Sequence, residues 1–251
     1  VRTIPEEVQI VCVAVGHRYP TGYVEVLENM LRRHMPVPFT LTCVVDRPRV
    51  LPSSVHVVDA SNWDLRREGL RVTTDKLGLF EAGRLPFAEF LYFDTTLVIQ
   101  RDMTSLLRFA FESEEELVVV RDWNYDAYNT CAMRIRTGGA ISGVTKAFRD
   151  GVVYPWRNPG DQDFLSAFIK DKGLEDQVSI WPDDIIVSYR NARVLNRTNP
   201  EAAYAMLEKG TVVKIYGKTK MNQLLNPFYR QFKMKGPDRK FWIKELRENW
   251  R

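Results

Sequence analysis

The stretch "LYFDTTLVIQ", residues 91–100, carries an apolar run up to a carboxylate and two hydroxyls, Asp94-Thr95-Thr96, and then resumes as Leu97-Val98-Ile99. A buried carboxylate is costly unless it is paired or hydrogen-bonded. The placement therefore calls for a ligand, a cation or a structural partner. Asp46 and Asp59 also stand at or near the ends of apolar runs. Acids at the ends of several strands can line one shared crevice, or each can cap its own turn. A second acidic group, Asp161-Gln162-Asp163, opens a helix-like segment, where first-turn amides favour anions. The three histidines, His17, His34 and His56, are scattered, and His34 beside Arg33 reads as a helix-end cap. No Ser/His/Asp set, phosphate-binding loop or zinc spacing occurs, and the missing GxGxxG argues against an ordinary dinucleotide dehydrogenase.

Short β-branched runs at 8–15, 40–46, 55–60, 90–99, 116–123 and 211–217 must position these groups. Their near-continuous apolarity predicts strands covered on both faces, as in a parallel or mixed sheet. Helical patterns lie between them. "GYVEVLENMLRRHM" places Val24, Leu27, Met30 and Leu31 on one face before Pro36. "TTDKLGLFEAG" runs from Thr73 to Gly83, and "GDQDFLSAFIKDKG" puts Phe164, Leu165 and Phe168 on one side and closes at Gly173. Alternating strand and helix predicts an α/β, Rossmann-like layer architecture, a mixed and mostly parallel sheet flanked by helices.

The 251 residues suffice for one large domain with a full core. Cys12, Cys43 and Cys131 are an odd set without metal spacing, two of them inside apolar runs, so buried reduced thiols and a cytoplasmic setting are expected. The longest apolar run, "VQIVCVAVG", is too short to span a bilayer and lacks the flanks of a signal peptide.

From Asn226 the composition changes. Residues 226–251 hold eight Lys or Arg against three acids, interleaved with Phe228, Tyr229, Phe232, Phe241, Trp242 and Trp250. The division expected is a domain over 1–225 and a basic, aromatic extension over 226–251, with Trp242, Leu246 and Trp250 at helical spacing. Three readings of the tail stand open. It can dock on the body with its basic face in water, hold a nucleic acid through phosphates and stacked bases, or lie on an anionic membrane. Arg230, Lys233 and Trp242 are the candidate acceptor contacts, with the nucleic acid slightly favoured by the basic stretches "LRRH", "DRPR" and "LRREGLR".

Several segments, taken in order, resemble the GT-A nucleotide-sugar glycosyltransferases, especially family 8-like enzymes. "LYFDTTLVIQRDMTSLL" is similar to the segment carrying their DxD motif, and "YNTCAMRIRTG" (128–138) to the strand that follows it. "NPGDQDFLSAF" (158–168) is similar to their "DQDxlN" helix start. "VVKIYGKTKMNQL" (212–224) is similar to their terminal "HFxGxxKPW" segment. Upstream, residues 13–34 and "TTDKLGLF" fit the first strand, nucleotide loop and helix, and a helix with a donor-facing lysine. The resemblance covers roughly residues 8–224.

It implies that Asp94 faces the nucleotide ribose, that Asn129 touches the donor sugar, and that Asp161 and Gln162 line the sugar pocket. Asp163 either bonds the sugar or caps the helix. Two departures concern the metal. Thr96 stands in place of the second DxD acid and Tyr216 in place of the histidine, and both are poor ligands for Mg²⁺ or Mn²⁺. A metal-independent enzyme is therefore expected, although Mn²⁺ or Mg²⁺ use stays open. Lys218 or Lys220, beside Gly217, would clamp the diphosphate, with Lys214 and Lys76 nearby in role. Asp183-Asp184 could supply a base in an inverting enzyme, or form a turn. The implied activity is hexosyl or pentosyl transfer from a nucleotide sugar such as a UDP-sugar. The acceptor is either modified DNA or another nucleic acid, or a lipid-linked glycan. A sugar-nucleotide pyrophosphorylase and a non-catalytic binding module are the rivals; "VGHRYPTG" lacks the glycine-rich basic loop of the former.

Overall fold

The computed structural model describes residues 2–17, 20–215 and 220–251; Tyr216, Gly217 and Lys218, all expected in the donor site, lie outside the described residues. The β-branched runs form β1 (Val8–Ala14), β2 (Phe39–Val45), β3 (His56–Asp59), β4 (Glu89–Phe93) and β5 (Leu97–Ile99). They continue with β6 (Leu117–Arg121), β7 (Tyr128–Arg136), β8 (Val178–Ile180), β9 (Ile186–Ser188) and β10 (Val212–Lys214). The chain divides into two compact units: Val1–Val24, Val37–Asp94 and Arg108–Trp181 make the first, and Glu25–Pro36, Thr95–Leu107 and Pro182–Arg251 the second.

The first unit carries a seven-stranded sheet in the order β3-β2-β1-β4-β7-β6-β8. Four neighbouring pairs are parallel, and only the two pairs made by β7 are antiparallel. The expected mixed, mostly parallel α/β sheet is what forms. β2, β4 and β6 bury nearly every position, as strands covered on both faces must. The second unit has a three-stranded sheet in the order β5-β10-β9.

The helix α1 (Gly22–His34) buries Val24, Leu27, Met30 and Leu31, the face read from the spacing. Next come α2 (Thr104–Glu112), α3 (Gly143–Arg149) and α4 (Asp161–Lys172). The last buries Phe164, Leu165 and Phe168 and stops at Gly173, whose φ of 62° is the left-handed cap conformation that glycine adopts without strain. The second unit adds α5 (Tyr189–Leu195), α6 (Pro200–Lys209), α7 (Met221–Leu225), α8 (Pro227–Lys233) and α9 (Ile243–Asn249).

Two expectations change. The run 90–99 is not one strand: it breaks at Asp94-Thr95-Thr96, because β4 pairs with β1 and β7 whereas β5 pairs with β10 in the other sheet. The segment Val72–Phe80 is a 3-10 helix rather than an α-helix. Tertiary bonds hold it so: Thr74 Oγ1 donates to Leu65 O at 2.6 Å, and Thr145 Oγ1 donates to Leu77 O at 2.5 Å. Gly78 lies so close to Trp63 that a Cβ there would meet the indole at 2.3 Å. The tail belongs to the second unit, where Phe241 and Trp242 are buried against Tyr204 at ring separations of 5.1 and 5.7 Å.

One buried cation ties the first unit together. Arg134, in the middle of β7, is fully buried and donates to Ala110 O, Glu115 O and Ser113 O at 2.9, 2.7 and 3.1 Å. It thereby helps to satisfy carbonyls at and just beyond the end of α2, sharing Ser113 O with Arg2 and Glu115 O with Arg136. Burial lowers its pKa to about 10, with Glu89 at 3.6 Å offsetting part of that penalty. Replacing Arg134 with methionine is expected to destabilise the protein by about 3 kcal/mol, because Ala110 O loses this buried charged donor and Ser113 O, Glu115 O and Glu89 each lose one of their partners. Thermal unfolding followed by circular dichroism should show a melting temperature about 6–12 °C lower. A change inside experimental scatter would remove this capping role.

Candidate active site

β4 delivers Asp94 to the edge of the first unit's sheet, with its backbone N–H still bonded to Cys131 O at 2.8 Å. Its carboxylate does not stand alone. Lys76, carried by the 3-10 segment, places Nζ 2.7 Å from Asp94 Oδ1 and 3.5 Å from Asp161 Oδ2. The Tyr92 hydroxyl donates to the same Asp94 oxygen at 2.7 Å, and the Thr130 hydroxyl donates to Asp161. Burial pulls the Lys76 ammonium toward neutrality, but Asp161 and Asp94 outweigh it and hold its pKa above the usual lysine range. Burial, reinforced by Asp94, pushes the Tyr92 phenol well above its ordinary value, so it is a fixed donor. One cation and two carboxylates thus share a site whose side chains are nearly enclosed.

A second cluster adjoins it through the first turn of α4. Asp122, one residue past β6, accepts from Asn129 Nδ2 at 2.9 Å and Gln162 Nε2 at 2.8 Å on one oxygen. The other oxygen accepts from Asn124 N at 3.0 Å. Asp163 is committed elsewhere. It takes the Arg157 backbone N–H at 2.8 Å and the Arg157 guanidinium at 2.9 Å, together with the Asn158 N–H. It does not cap the helix, whose N-cap Gly160 has no side-chain bond; it fastens the loop that enters it. Arg157 in turn lies 3.7 Å over the Tyr125 ring, which steadies the loop that carries Asp122.

The sites named from sequence therefore sort clearly. Lys76, Asp94 and Asp161 come together, as do Asn129 and Gln162 around Asp122. Asp122 itself was missed, although it ends an apolar run just as Asp94 does, and that signal could have found it. Arg157, the partner of Asp163, carried no signal in its loop. The shared crevice of three strand-end acids is not what forms. Asp59 is the exposed last residue of β3, accepting from Ser61 N at 2.8 Å and Ser61 Oγ at 2.9 Å. Asp46 accepts from Gly16 N at 3.0 Å and pairs with Arg66, which also grips Asp75. Burial alone would raise the Asp46 pKa, but the Gly16 N–H and Arg66 win and lower it.

In the second unit, Lys214 Nζ donates to Thr96 Oγ1 at 3.3 Å, and both residues are buried. Lys220 starts α7, its backbone N–H bonded to Gln223 Oε1 at 2.9 Å. Arg230 donates to Leu224 O at 2.8 Å. Trp242 is buried, with Nε1 donating to Gln100 Oε1 at 3.1 Å, so its ring packs inside the unit and offers no stacking surface for a base. Lys233 is exposed, as are Phe228 and Phe232 on the same short helix. Asp183 and Asp184 occupy an exposed turn, the plainer of their two readings.

Asp94 already holds an ammonium and a phenol donor, and Thr96, in place of the second acid, faces another ammonium. Among the described residues no three acids, histidines or cysteines are grouped as a metal site.

No family model matches the chain, and no curated protein sequence does. Solved structures do. The glycosyltransferase GlyE of Streptococcus pneumoniae TIGR4 aligns over 97% of this chain and 61% of its own, with a TM-score of 0.57 at 13% identity. The WbbM bifunctional glycosyltransferase aligns over 96% and 51%, at 0.60 and 14%. The galactosyltransferase LgtC aligns over 96% of this chain and 94% of its own, at 0.58 and 11%. The chain thus spans between half and two thirds of the first two proteins. At such identities the likeness establishes the fold, the mixed α/β architecture of the GT-A glycosyltransferases.

Proposed function

We propose that the chain is a glycosyltransferase that moves a hexosyl or pentosyl group from a nucleotide-diphosphate sugar to an acceptor hydroxyl, without a divalent cation. The observation that carries this reading is the division of labour among four neighbouring carboxylates. Asp94 and Asp161 share Lys76, and Asp163 holds Arg157, whereas Asp122 is held only by neutral N–H donors among the described residues. An oxocarbenium-like transition state needs one uncompensated negative charge in a fixed position. Asp122 meets that need. The other carboxylates each face a cation, Asp94 and Asp161 sharing one, and position groups instead: Asp94 the ribose, Asp161 the sugar hydroxyls.

Lys76 then has a different role from the diphosphate clamp expected of it. Its charge already faces two acids, so it keeps them side by side. Neutralising the leaving diphosphate falls in this reading to Lys218 and Lys220, on charge and sequence position alone. The fold neighbours support sugar transfer in general; one of them, LgtC, is described in complex with donor and acceptor sugar analogues. The tail supports a nucleic-acid acceptor less than its composition implied, because Phe241 and Trp242 are buried.

The test is a thermal-shift panel of nucleotide sugars and nucleoside diphosphates, followed by diphosphate release from the best binder in excess EDTA. A shift of several degrees by one donor and unchanged release in EDTA are expected. Tight binding without turnover would instead make the chain a binding module. Loss of release that Mn²⁺ restores would overturn the metal-free mechanism.

A further inference from the structure

α4 presents Gln162, Ser166 and Lys170 at intervals of four residues, which places them along one helix face. Their partners order the sheet edge beside them. Gln162 reaches Asp122, and Ser166 Oγ accepts from Tyr128 N at 2.8 Å. Lys170 lines a cavity of about 240 Å³ together with Arg121, Asp126, Tyr128 and Glu175. At 1.5 Å per helical residue, the eight steps from Gln162 to Lys170 span about 12 Å. A polar lane therefore leads from the proposed transfer centre to this cavity, with the reach of a short oligosaccharide.

Exposed charges of both signs rim the cavity. Arg121 and Lys170 supply two cations, Asp126 and Glu175 two carboxylates, and no ion pair among the described residues joins any of them. Such groups suit a ligand that carries both signs. A carboxylate can face the Arg121 fork and Lys170, and an ammonium can face Asp126 and Glu175. Burial and the nearby Glu175 keep the Tyr128 phenol protonated above its usual range, a donor for a sugar hydroxyl.

We propose that this cavity is a second sugar subsite, seating a zwitterionic unit of the acceptor glycan, one that bears both an amine and a carboxylate. The inference rests on the glycosyltransferase reading and names its acceptor class: a charged oligosaccharide extended along α4.

Titration with muramic acid, a sugar with one amine and one carboxylate, tests this by amide NMR at Tyr128, whose N–H is fixed by Ser166. Muramic acid should shift this signal saturably and bind about tenfold more tightly than glucose, glucosamine or glucuronic acid, which lack one or both charges. The double variant Arg121→Gln/Lys170→Gln, altered at exposed positions, should melt at the wild-type temperature and lose the response. No shift with muramic acid, equal binding of glucose, or a response that survives in the double variant would each overturn the subsite. A failed glycosyltransferase reading would appear elsewhere, as a wild-type chain that no nucleotide sugar stabilises.

Discussion

Replacing Lys76 with methionine is expected to slow sugar transfer by about a hundredfold to a thousandfold and to cost about 3 kcal/mol of stability. The ammonium lies 2.7 Å from Asp94 and 3.5 Å from Asp161, and its side chain is almost wholly enclosed. Removing it leaves two carboxylates facing each other without the cation they share, although the Tyr92 and Thr130 hydroxyls still donate to them. Like charges in such a site cannot both stay ionised, so the pair takes up a proton at neutral pH. An Asp94 that has gained a proton no longer accepts two ribose hydroxyls, and donor binding weakens with the rate. The effect has a distinctive pH signature. The variant's rate should climb as rising pH strips the shared proton, over a range where the wild-type rate is flat. Nucleoside diphosphate release measured across that range checks it. A variant rate within about twofold of wild type, or a profile parallel to it, would show that Lys76 is not needed to hold the two acids.

Lys76 also shows what the sequence could and could not reveal. The lysine was legible as a donor-site candidate, but its partners were not, because they come from β4 and α4, remote in sequence and joined only by the fold. β1, α1 and α4 were readable since each has its own apolar pattern, continuous in β1 and at helical spacing in α1 and α4, with a glycine stop in α4. The run 90–99 was misread for a physical reason. Apolar continuity cannot tell that Phe90–Phe93 and Leu97–Ile99 are buried in different sheets, with three polar residues making the turn between. The segment 72–80 has a helical composition, yet Thr74, Gly78 and the close approach of Trp63 impose a tighter winding. In the tail, spacing placed Trp242 on a helix face, but it precedes α9 in a left-handed conformation, φ 55°, and is held by Gln100. Composition reports that aromatics and cations are interleaved; only packing reports which of them remain at the surface.

Asp122→Asn should separate chemistry from binding more cleanly than any other change in the site. Asn is nearly isosteric and keeps one carbonyl oxygen to accept from Asn129 and Gln162, so the loop and the donor pocket should survive. What disappears is the negative charge. Transfer is expected to fall by about a hundredfold to a thousandfold, while the thermal shift produced by the donor stays within experimental scatter of wild type. The hydrogen bonding also says how the charge acts. One oxygen already accepts two N–H groups and the other accepts one, which leaves few lone pairs for bond formation. The carboxylate is thus better placed to stabilise developing positive charge than to attack the anomeric carbon. Mass spectrometry of the chain incubated with donor alone should accordingly show no covalent glycosyl adduct. Asp163→Asn is the contrasting variant. It loses charge as well, but at a carboxylate that fastens Arg157 and the loop before α4, so its effect should fall on melting temperature and leave most of the rate. If Asp163→Asn instead abolished transfer and Asp122→Asn did not, the uncompensated charge would have to be sought on the other side of the first turn of α4.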